Sequence, residues 1–286
     1  MTIEKACGIV IRLVDYSETS QIAAFLTDRF GKVSAIAKGS KRAKSSTGGA
    51  LDMLTLNEIV FSASASGGLA TLREARTIAQ YPGIRATTER YYAALYFAEL
   101  SDAFTEAAEN TAEHFNLLVS ALEALSEGKT APAILAAFFD AHALKATGLA
   151  PNLVQCVRCG SDPESRARPQ ASGHETPKPP AAVKPPAIRI SLSDGGLLCR
   201  NCPGGVPIDR GSLAALRRVF ASTTQTISRL RLPKQIQSDV EGVLSAFVVY
   251  NARRVPRMMR YLRGDFDYQW RKWSAGVIHQ SPARLC

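Results

Sequence analysis

Four of the six cysteines form two CxxC pairs, and these pairs carry the clearest chemistry in the chain. They are Cys156, Cys159, Cys199 and Cys202. A CxxC turn directs two thiolates at one tetrahedral ion, and a second such turn completes a four-sulfur zinc site. The pattern therefore predicts a closed, structural zinc site with these four cysteines as ligands.

A redox dithiol, a disulfide and a catalytic zinc fit the cysteine pairs less well. A thioredoxin-type redox motif occurs once, at the start of a helix in a βαβ unit, and that context is absent. Disulfides are not expected, because residues 1–12 form a polar lead into a strand and do not resemble a secretory signal. A deaminase-type catalytic zinc needs H-x-E with P-C-x-x-C, but Gln155 precedes the first pair. We expect the metal to hold a fold together.

A proline-rich insertion separates the two pairs. The gap is 39 residues, longer than the roughly 15–20 residues of a compact zinc ribbon. Residues 163–186 contain seven prolines among 24 residues and no aromatic residue. A segment of this composition buries little surface, so we predict a disordered or extended insertion over residues 163–187.

Length and charge limit the class of protein. At 286 residues with 46% apolar content, the chain is expected to form two or three units. No apolar run approaches the roughly 18 residues of a membrane span, so we expect no membrane association and a cytoplasmic location. The net charge of +10 fits a polyanion as partner. Lys and Arg outnumber Asp and Glu by 13 to 4 over residues 211–286.

The first 80 residues predict a small β-barrel. Five short strands are expected at 7–14, 21–27, 33–37, 55–61 and 69–75. A polar, glycine-rich segment from Gly39 to Gly49 joins the third strand to the fourth. This layout is typical of an OB-fold, a frequent binder of single-stranded nucleic acid, and an SH3-like barrel is the alternative.

After Tyr81 the apolar period becomes helical. Helices are expected at 88–104, 114–125, 132–147, 212–220 with Ser212 as the cap, 233–250, and briefly after Pro256. The predicted fold class is α+β and multidomain: an N-terminal five-stranded OB-fold β-barrel and an all-helical C-terminal domain with an inserted four-cysteine zinc module. The expected bounds are 1–80 for the barrel, 81–151 and 210–286 for the helical domain, and 152–209 for the zinc module.

Several short segments occur in an order and spacing typical of one family. They are GIVIRLVDYSETS from Gly8, GKVSAIAKGS from Gly31, GGAL from Gly48, LATLREA from Leu69, YPGIR from Tyr81, TGLAP from Thr147, CVRCG from Cys156 and GGLLCRNC from Gly195. Over most of its length the chain thus resembles the recombination mediator family RecO. It departs from that family in the length of the proline-rich insertion, and the resemblance fades over residues 253–272.

The resemblance implies a non-enzymatic DNA repair protein of the RecF pathway, associated with the nucleoid. Such a protein binds single- and double-stranded DNA, anneals strands coated by single-strand binding protein, and helps RecR to load the RecA recombinase. The residues themselves also give no indication of an enzyme. Its four histidines are scattered, and no phosphate-binding Gly-Lys-Ser or Gly-Lys-Thr follows Gly48 and Gly49.

The candidate DNA-binding residues are cations, which neutralise phosphates without regard to base sequence. No acid occurs between Asp28 and Asp52. The first candidates there are Lys38, Lys41, Arg42 and Lys44, followed by Arg12, Lys32, Arg73 and Arg76 on the barrel.

A second basic surface is predicted near the C-terminus. It comprises Arg253, Arg254, Arg257, Arg260 and Arg263, whose spacings of three and four set several on one side of a helix. The same arginines are alternatively a site for the acidic C-terminal tail of single-strand binding protein. A basic barrel and zinc protein acting on RNA, or as an adaptor, is the competing functional class, because barrel and charge fit both nucleic acids.

Overall fold

The computed structural model describes residues 2–42, 51–63, 68–105, 111–164, 188–252, 254–263 and 266–274, without the side chains of 266–269. Three of the sequence predictions fall outside the described residues: Lys44, Arg253 and nearly all of the proline-rich insertion. None of the helices within these described ranges is long and apolar enough to cross a membrane.

The N-terminal strands close into a barrel, which confirms the predicted fold class. The strands are Ile3–Asp15 (β1), Gln21–Thr27 (β2), Lys32–Ala37 (β3), Leu56–Ser62 (β4) and Ala70–Ala79 (β5). They follow the order β1-β2-β3-β5-β4, and β1 closes the barrel by pairing with β4. The β3–β5 pair is parallel and the other four are antiparallel. Five strands closed in this order match the predicted OB-fold layout.

Alternation along the strands separates the barrel interior from its outer face. Ala23 and Phe25 of β2 lie inside, where they pack with Val33 and Ala35 of β3. The alternate residues Ala24 and Leu26 point outward and belong to the core shared with the helices. The barrel and the helical part therefore share one continuous apolar cluster.

Eight helices are described, and the predicted ones are among them. They are Thr88–Phe104 (α1), Ala112–Glu127 (α2), Pro132–Ala146 (α3), Arg210–Ala221 (α4), Thr224–Ile227 (α5), Lys234–Ala252 (α6), Met259–Leu262 (α7) and Phe266–Trp273 (α8). A 3₁₀ turn, Pro82–Ala86, connects the barrel to α1. Gly128, at φ 70°, ends α2 in the left-handed region that favours glycine.

The predicted cap of the fourth helix was wrong. Asp209 caps α4, and its carboxylate accepts a hydrogen bond from the backbone N–H of Ser212 at 3.0 Å. Ser212 lies in the first turn, where its N–H is one of the donors that a cap must satisfy.

Helices α1, α2, α3 and α6 form the helical core. The rings of Phe97 and Phe139 stack with centroids 4.3 Å apart. Beside them, the buried Tyr96 hydroxyl donates to the Asp140 carboxylate at 2.6 Å. This polar pair lies in the centre of the bundle, where a carboxylate without hydrogen-bond partners would be strongly destabilising.

The segment between α3 and α4 contains a small three-stranded sheet. Its strands are Arg189–Ser191 (β6), Gly196–Leu198 (β7) and Val206–Pro207 (β8), in the order β7-β6-β8. The isolated bridge between Asn152 and Gly196 joins the chain before the first CxxC pair to β7. The sheet thereby links the two sides of the proline-rich insertion.

Candidate metal centre and nucleic-acid interface

The structure brings the four predicted ligands together in one cluster, which we call the thiol cluster. Its members are Cys156, Cys159, Cys199 and Cys202, and their sulfur atoms all lie within 4.8 Å of one another. The Sγ atoms of Cys156 and Cys202 are 3.7 Å apart, and those of Cys159 and Cys199 are 3.6 Å apart. Four sulfurs at about 2.3 Å from a tetrahedral ion lie about 3.8 Å from one another. The four cysteines can therefore hold a metal ion.

Backbone pairing places the first CxxC turn against the second. Leu197 N–H donates to the Asn152 carbonyl, and Val157 N–H donates to the Leu197 carbonyl, both at 2.9 Å. Gly196 permits this approach, since a Cβ there would lie 2.5 Å from the Asn152 oxygen. These contacts span the insertion and explain how 39 intervening residues are compatible with one site.

Two arginines that sequence reasoning missed hold the turns of the thiol cluster. Arg189 donates to the carbonyl oxygens of Cys199, Arg200 and Cys202. Arg158, within the first pair, binds Asp194 through Nε at 2.7 Å and the Pro203 carbonyl through Nη1 at 2.9 Å. Arg158 therefore ties the first turn to the second. Its position inside CVRC is the only local signal, and nothing near Arg189 in the sequence indicates its partners.

The surroundings of the thiol cluster shift the pKa values of two of its thiols in opposite directions. A hydrogen bond with the Ser161 hydroxyl lowers the pKa of Cys199 to about 6. The Cys159 sulfur raises the pKa of Cys202 to about 12. Thiols this close cannot all ionise by themselves, because each thiolate disfavours the next. A divalent cation at the centre removes this repulsion, and the donor set suits a closed structural site.

The basic loop comprises residues 38–44, and its described part, residues 38–42, lies beside the turn between β1 and β2. Lys41 N–H donates to the Thr19 carbonyl at 3.2 Å, and the Ser40 hydroxyl donates to Gln21 at 3.1 Å. Lys38, Lys41 and Arg42 are exposed. Lys41 pairs with Asp15 at 2.7 Å, whereas no acidic partner of Lys38 or Arg42 is found among the described residues. The loop backbone is thus anchored while two cationic side chains face solvent.

The weaker candidates on the barrel differ in availability. Arg12 is exposed on β1. Lys32 is half-buried and tied to Asp102 of α1 at 3.1 Å, which removes it from the open surface. Arg73 donates to the Ser62 hydroxyl at 2.9 Å, and Arg76 lies 3.6 Å from the Glu58 carboxylate. Of these four, all but Lys32 are exposed, and the Arg76 side chain remains 75% accessible beside Glu58.

The prediction of one arginine-rich helical face near the C-terminus was wrong. Helix α6 ends at Ala252 and α7 covers only Met259–Leu262, so no continuous helix carries those of the arginines that the structure describes. Arg263 is only 7% exposed and pairs with buried Asp140 at 2.5 Å and with Glu241 at 3.5 Å. Arg254 lies 3.7 Å from Asp102. Arg257 and Arg260 are exposed, but they do not form the predicted surface with Arg263.

Comparison with known proteins adds an independent observation. The family described as Recombination protein O N terminal matches residues 1–81, and Recombination protein O C terminal matches residues 85–259. The protein named DNA repair protein RecO from Rhodopirellula baltica is 34% identical over 91% of this chain and 99% of its own length. Its namesake from Anaeromyxobacter sp. (strain K) is 31% identical over 90% and 95%, respectively. The chain belongs to the RecO family.

Proposed function

We propose that this chain binds single- and double-stranded DNA without sequence specificity and anneals complementary strands coated by single-strand binding protein. Together with RecR it helps to load the RecA recombinase in the RecF pathway, at the nucleoid in the cytoplasm. The family belongs to DNA repair and recombination, which supports this proposal. We propose no catalytic step.

The exposed cations of the basic loop are the observation that carries the proposal. Lys38 and Arg42 face solvent from a loop whose backbone is fixed by Thr19 and Gly39. Cations held in this way neutralise phosphates and release counterions, a source of affinity that ignores base sequence. Annealing requires such sequence tolerance, because any two complementary strands must be accepted.

We propose that the thiol cluster binds Zn²⁺ in a structural role. Its four sulfurs leave no open coordination position, which a catalytic zinc would need. The ion would link the chain before the insertion to the chain after it, as the Asn152–Gly196 bridge and Arg158 also do. DNA binding by the barrel does not require the ion directly.

The test of the function is annealing of two complementary oligonucleotides precoated with single-strand binding protein. The native chain is compared with a variant that carries alanine at Lys38, Lys41, Arg42 and Lys44. A control variant also loses four positive charges, but outside the basic loop. It carries alanine at Lys129, Lys145, Arg210 and Lys234. We expect rapid annealing by the native chain and the control and weak annealing by the loop variant. No annealing by the native chain would contradict the proposal.

We further propose that the acidic tail of single-strand binding protein docks on the helical part at an arginine pocket. Three arginines line this depression of about 500 Å³: Arg218, Arg229 and Arg231. Ile227 and Leu230 give it an apolar floor, and no acidic side chain is among its described lining residues. An acidic peptide with an apolar end matches both properties. This pocket replaces the incorrectly predicted C-terminal surface as the candidate site.

A labelled acidic tail peptide tests this docking site. Replacing both Arg218 and Arg229 with alanine is expected to weaken peptide binding at least tenfold, since charge-assisted contacts are lost. The matched control replaces Arg257 and Arg260 with alanine and should retain native affinity. Equal peptide affinity of both variants would rule out the pocket.

The competing function is RNA binding, and relative affinity distinguishes it. DNA and RNA oligomers of one sequence are compared at one salt concentration, because electrostatic affinity depends steeply on salt. We expect DNA affinity to equal or exceed RNA affinity. A clear preference for RNA would favour the alternative, since the 2′-hydroxyl is what distinguishes the two.

A further inference from the structure

The helical part covers one side of the outer face of the barrel. On this covered side, Ile9, Ile11 and Leu26 belong to the core that includes the helices, and Lys32 reaches Asp102 of α1. Beyond the bulge between Val10 and Arg12, the outward side chains of β1 leave this core. The same strands thus pass from beneath the helices to an open surface.

Three aliphatic side chains form a row on the open side of the barrel, and we call them the outer row. Val14 pairs with Ile22 across β1 and β2, and Ile22 pairs with Ile36 across β2 and β3. Their inward neighbours Leu13, Ala23 and Ala35 pack in the barrel core, so alternation directs the row outward. Val14 is 46% exposed, and Ile22 and Ile36 are half-buried. None of the three belongs to a core cluster of the described residues.

Tyr16 stands at the end of this row, in the turn between β1 and β2. It is 63% exposed. Its N–H donates to the Ser20 carbonyl at 3.0 Å, and the preceding Asp15 pairs with Lys41 at 2.7 Å. The turn is thus closed by its own hydrogen bond. Lys41 ties it to the basic loop through the Asp15 carboxylate and the Thr19 carbonyl. A ring presented from a fixed turn loses little conformational entropy when a ligand stacks on it.

Cations border the row and the ring. Arg12 lies two residues before Val14 on the same outward side of β1, and Lys38 follows directly after the end of β3. Aliphatic and aromatic surface next to cations suits a ligand with flat apolar faces along an anionic backbone. Single-stranded nucleic acid has both properties, whereas a duplex keeps its base faces inside the stack.

We propose that Tyr16 and the outer row form a platform against which unpaired bases stack while the basic loop holds the phosphates. This inference rests on the proposed function and assigns the base-contacting part of the same surface. Phosphate contacts alone predict equal binding of any anionic chain. The platform predicts in addition a preference for chains that carry bases.

The test uses two oligomers of equal length and charge, oligothymidylate and an abasic deoxyribose-phosphate chain. The native chain should bind oligothymidylate about tenfold more tightly, because stacking on an aromatic side chain contributes measurably per base. Tyr16→Ala should remove most of this preference, leave the affinity for the abasic chain unchanged and leave the salt dependence unchanged. Tyr16→Phe should retain the preference, because the ring remains.

Tyr261→Ala is the matched control. Tyr261 is also 63% exposed but lies on α7, where its ring packs against Tyr92. The Tyr261→Ala variant should bind both oligomers with the affinities of the native chain. A native preference that survives in Tyr16→Ala, or a native chain that binds both oligomers equally, overturns the platform while leaving the phosphate-binding function standing. Failure of the native chain to bind either oligomer would instead contradict the proposed function.

Discussion

Two runs of cations in this chain lie in opposite environments. In the basic loop, Lys38 and Arg42 are exposed from an anchored backbone. Near the C-terminus, Arg263 is buried between Asp140 and Glu241, and Arg254 lies near Asp102. Both runs look alike as sequence, since each is a cluster of Lys or Arg with few acids. The difference shows that the count of cations in a segment does not measure the charge it offers to a ligand.

The difference follows from which carboxylates the fold brings near. The acids that meet Arg263 are supplied by α3 and α6, and Asp140 is 123 residues away in sequence. The basic loop, in contrast, meets the turn between β1 and β2, where its described contacts are mainly with carbonyl, hydroxyl and amide groups. Only Asp15 neutralises one of its cations, Lys41, among the residues that the structure describes. We therefore expect the C-terminal arginine to stabilise the fold and the loop cations to bind DNA.

Removing the metal should have the largest effect, and it should affect the thiol cluster but not the basic loop on the barrel. Cys199→Ser removes one of four ligands, and we expect loss of bound zinc and unfolding of the segment around the thiol cluster. Structural zinc contributes about 10–16 kcal/mol in isolated zinc-finger peptides, so this is the largest expected effect. Metal analysis and thermal unfolding measure it, while most of the DNA affinity, which we assign to the barrel, should remain.

Cys7→Ser is the control for this substitution. Cys7 lies on β1, outside the thiol cluster, so its replacement should leave the metal content unchanged. Native metal content in Cys199→Ser would contradict the four-sulfur assignment. If DNA binding were lost together with the metal, DNA binding by the barrel would not be independent of the thiol cluster.

Arg263→Ala should lower the free energy of unfolding by about 3–5 kcal/mol, because it leaves the buried Asp140 carboxylate without its cationic partner. Urea denaturation measures the change. Arg257→Ala is the matched control from the same run, and it should change stability by no more than about 0.5 kcal/mol, since the side chain is exposed. Neither variant should change the salt dependence of DNA binding. Equal stability of the two variants would show that the position of Arg263 is unimportant.

The regular elements and the thiol cluster were predictable, because their signals are local. The strands of the barrel and the long helices show periods of 2 and 3.6, and a CxxC turn needs only two nearby cysteines. The strands β6 to β8 have three residues or fewer and no measurable period. The burial of Arg263 and the three carbonyl partners of Arg189 depend on tertiary contacts, which spacing does not encode.

The helical interior should also respond to pH differently from the barrel surface. His114 is buried, its Nε2 lies 3.1 Å from the Ser101 hydroxyl, and burial lowers its pKa from 6.5 to about 4. The unfolded chain therefore binds a proton at higher pH than the folded chain. The contribution of His114 to stability is complete above pH 6.5 and is lost as the pH falls toward 4, at up to about 1.4 kcal/mol per pH unit.

Urea denaturation at pH 7 and pH 5 of the native chain and of His114→Gln isolates this residue. His142, whose pKa burial also lowers, is present in both proteins and cancels in the comparison. The native chain should lose about 2 kcal/mol more than the variant between these two pH values. An equal loss in both proteins would contradict the buried, neutral state of His114.

The smallest expected effect on stability concerns Lys41, the cation of the basic loop that pairs with Asp15. Asp15→Asn removes the carboxylate that lies 2.7 Å from Lys41 Nζ, and whose pKa is lowered by the hydrogen bond from Lys41. Because the pair is exposed and screened by solvent, the free energy of unfolding should change little. The released cation should strengthen binding of single-stranded DNA and steepen its salt dependence by about 0.7 in log–log slope.

Glu127→Gln makes the same change in net charge on α2, where Glu127 pairs with Lys129 at 3.0 Å. If net charge alone governed binding, both variants would gain affinity equally. If the basic loop contacts the phosphates, only Asp15→Asn steepens the salt dependence, because counterion release counts the cations that meet the strand. A steeper slope confined to Asp15→Asn would show that a single carboxylate determines whether Lys41 belongs to the binding surface or to the fold.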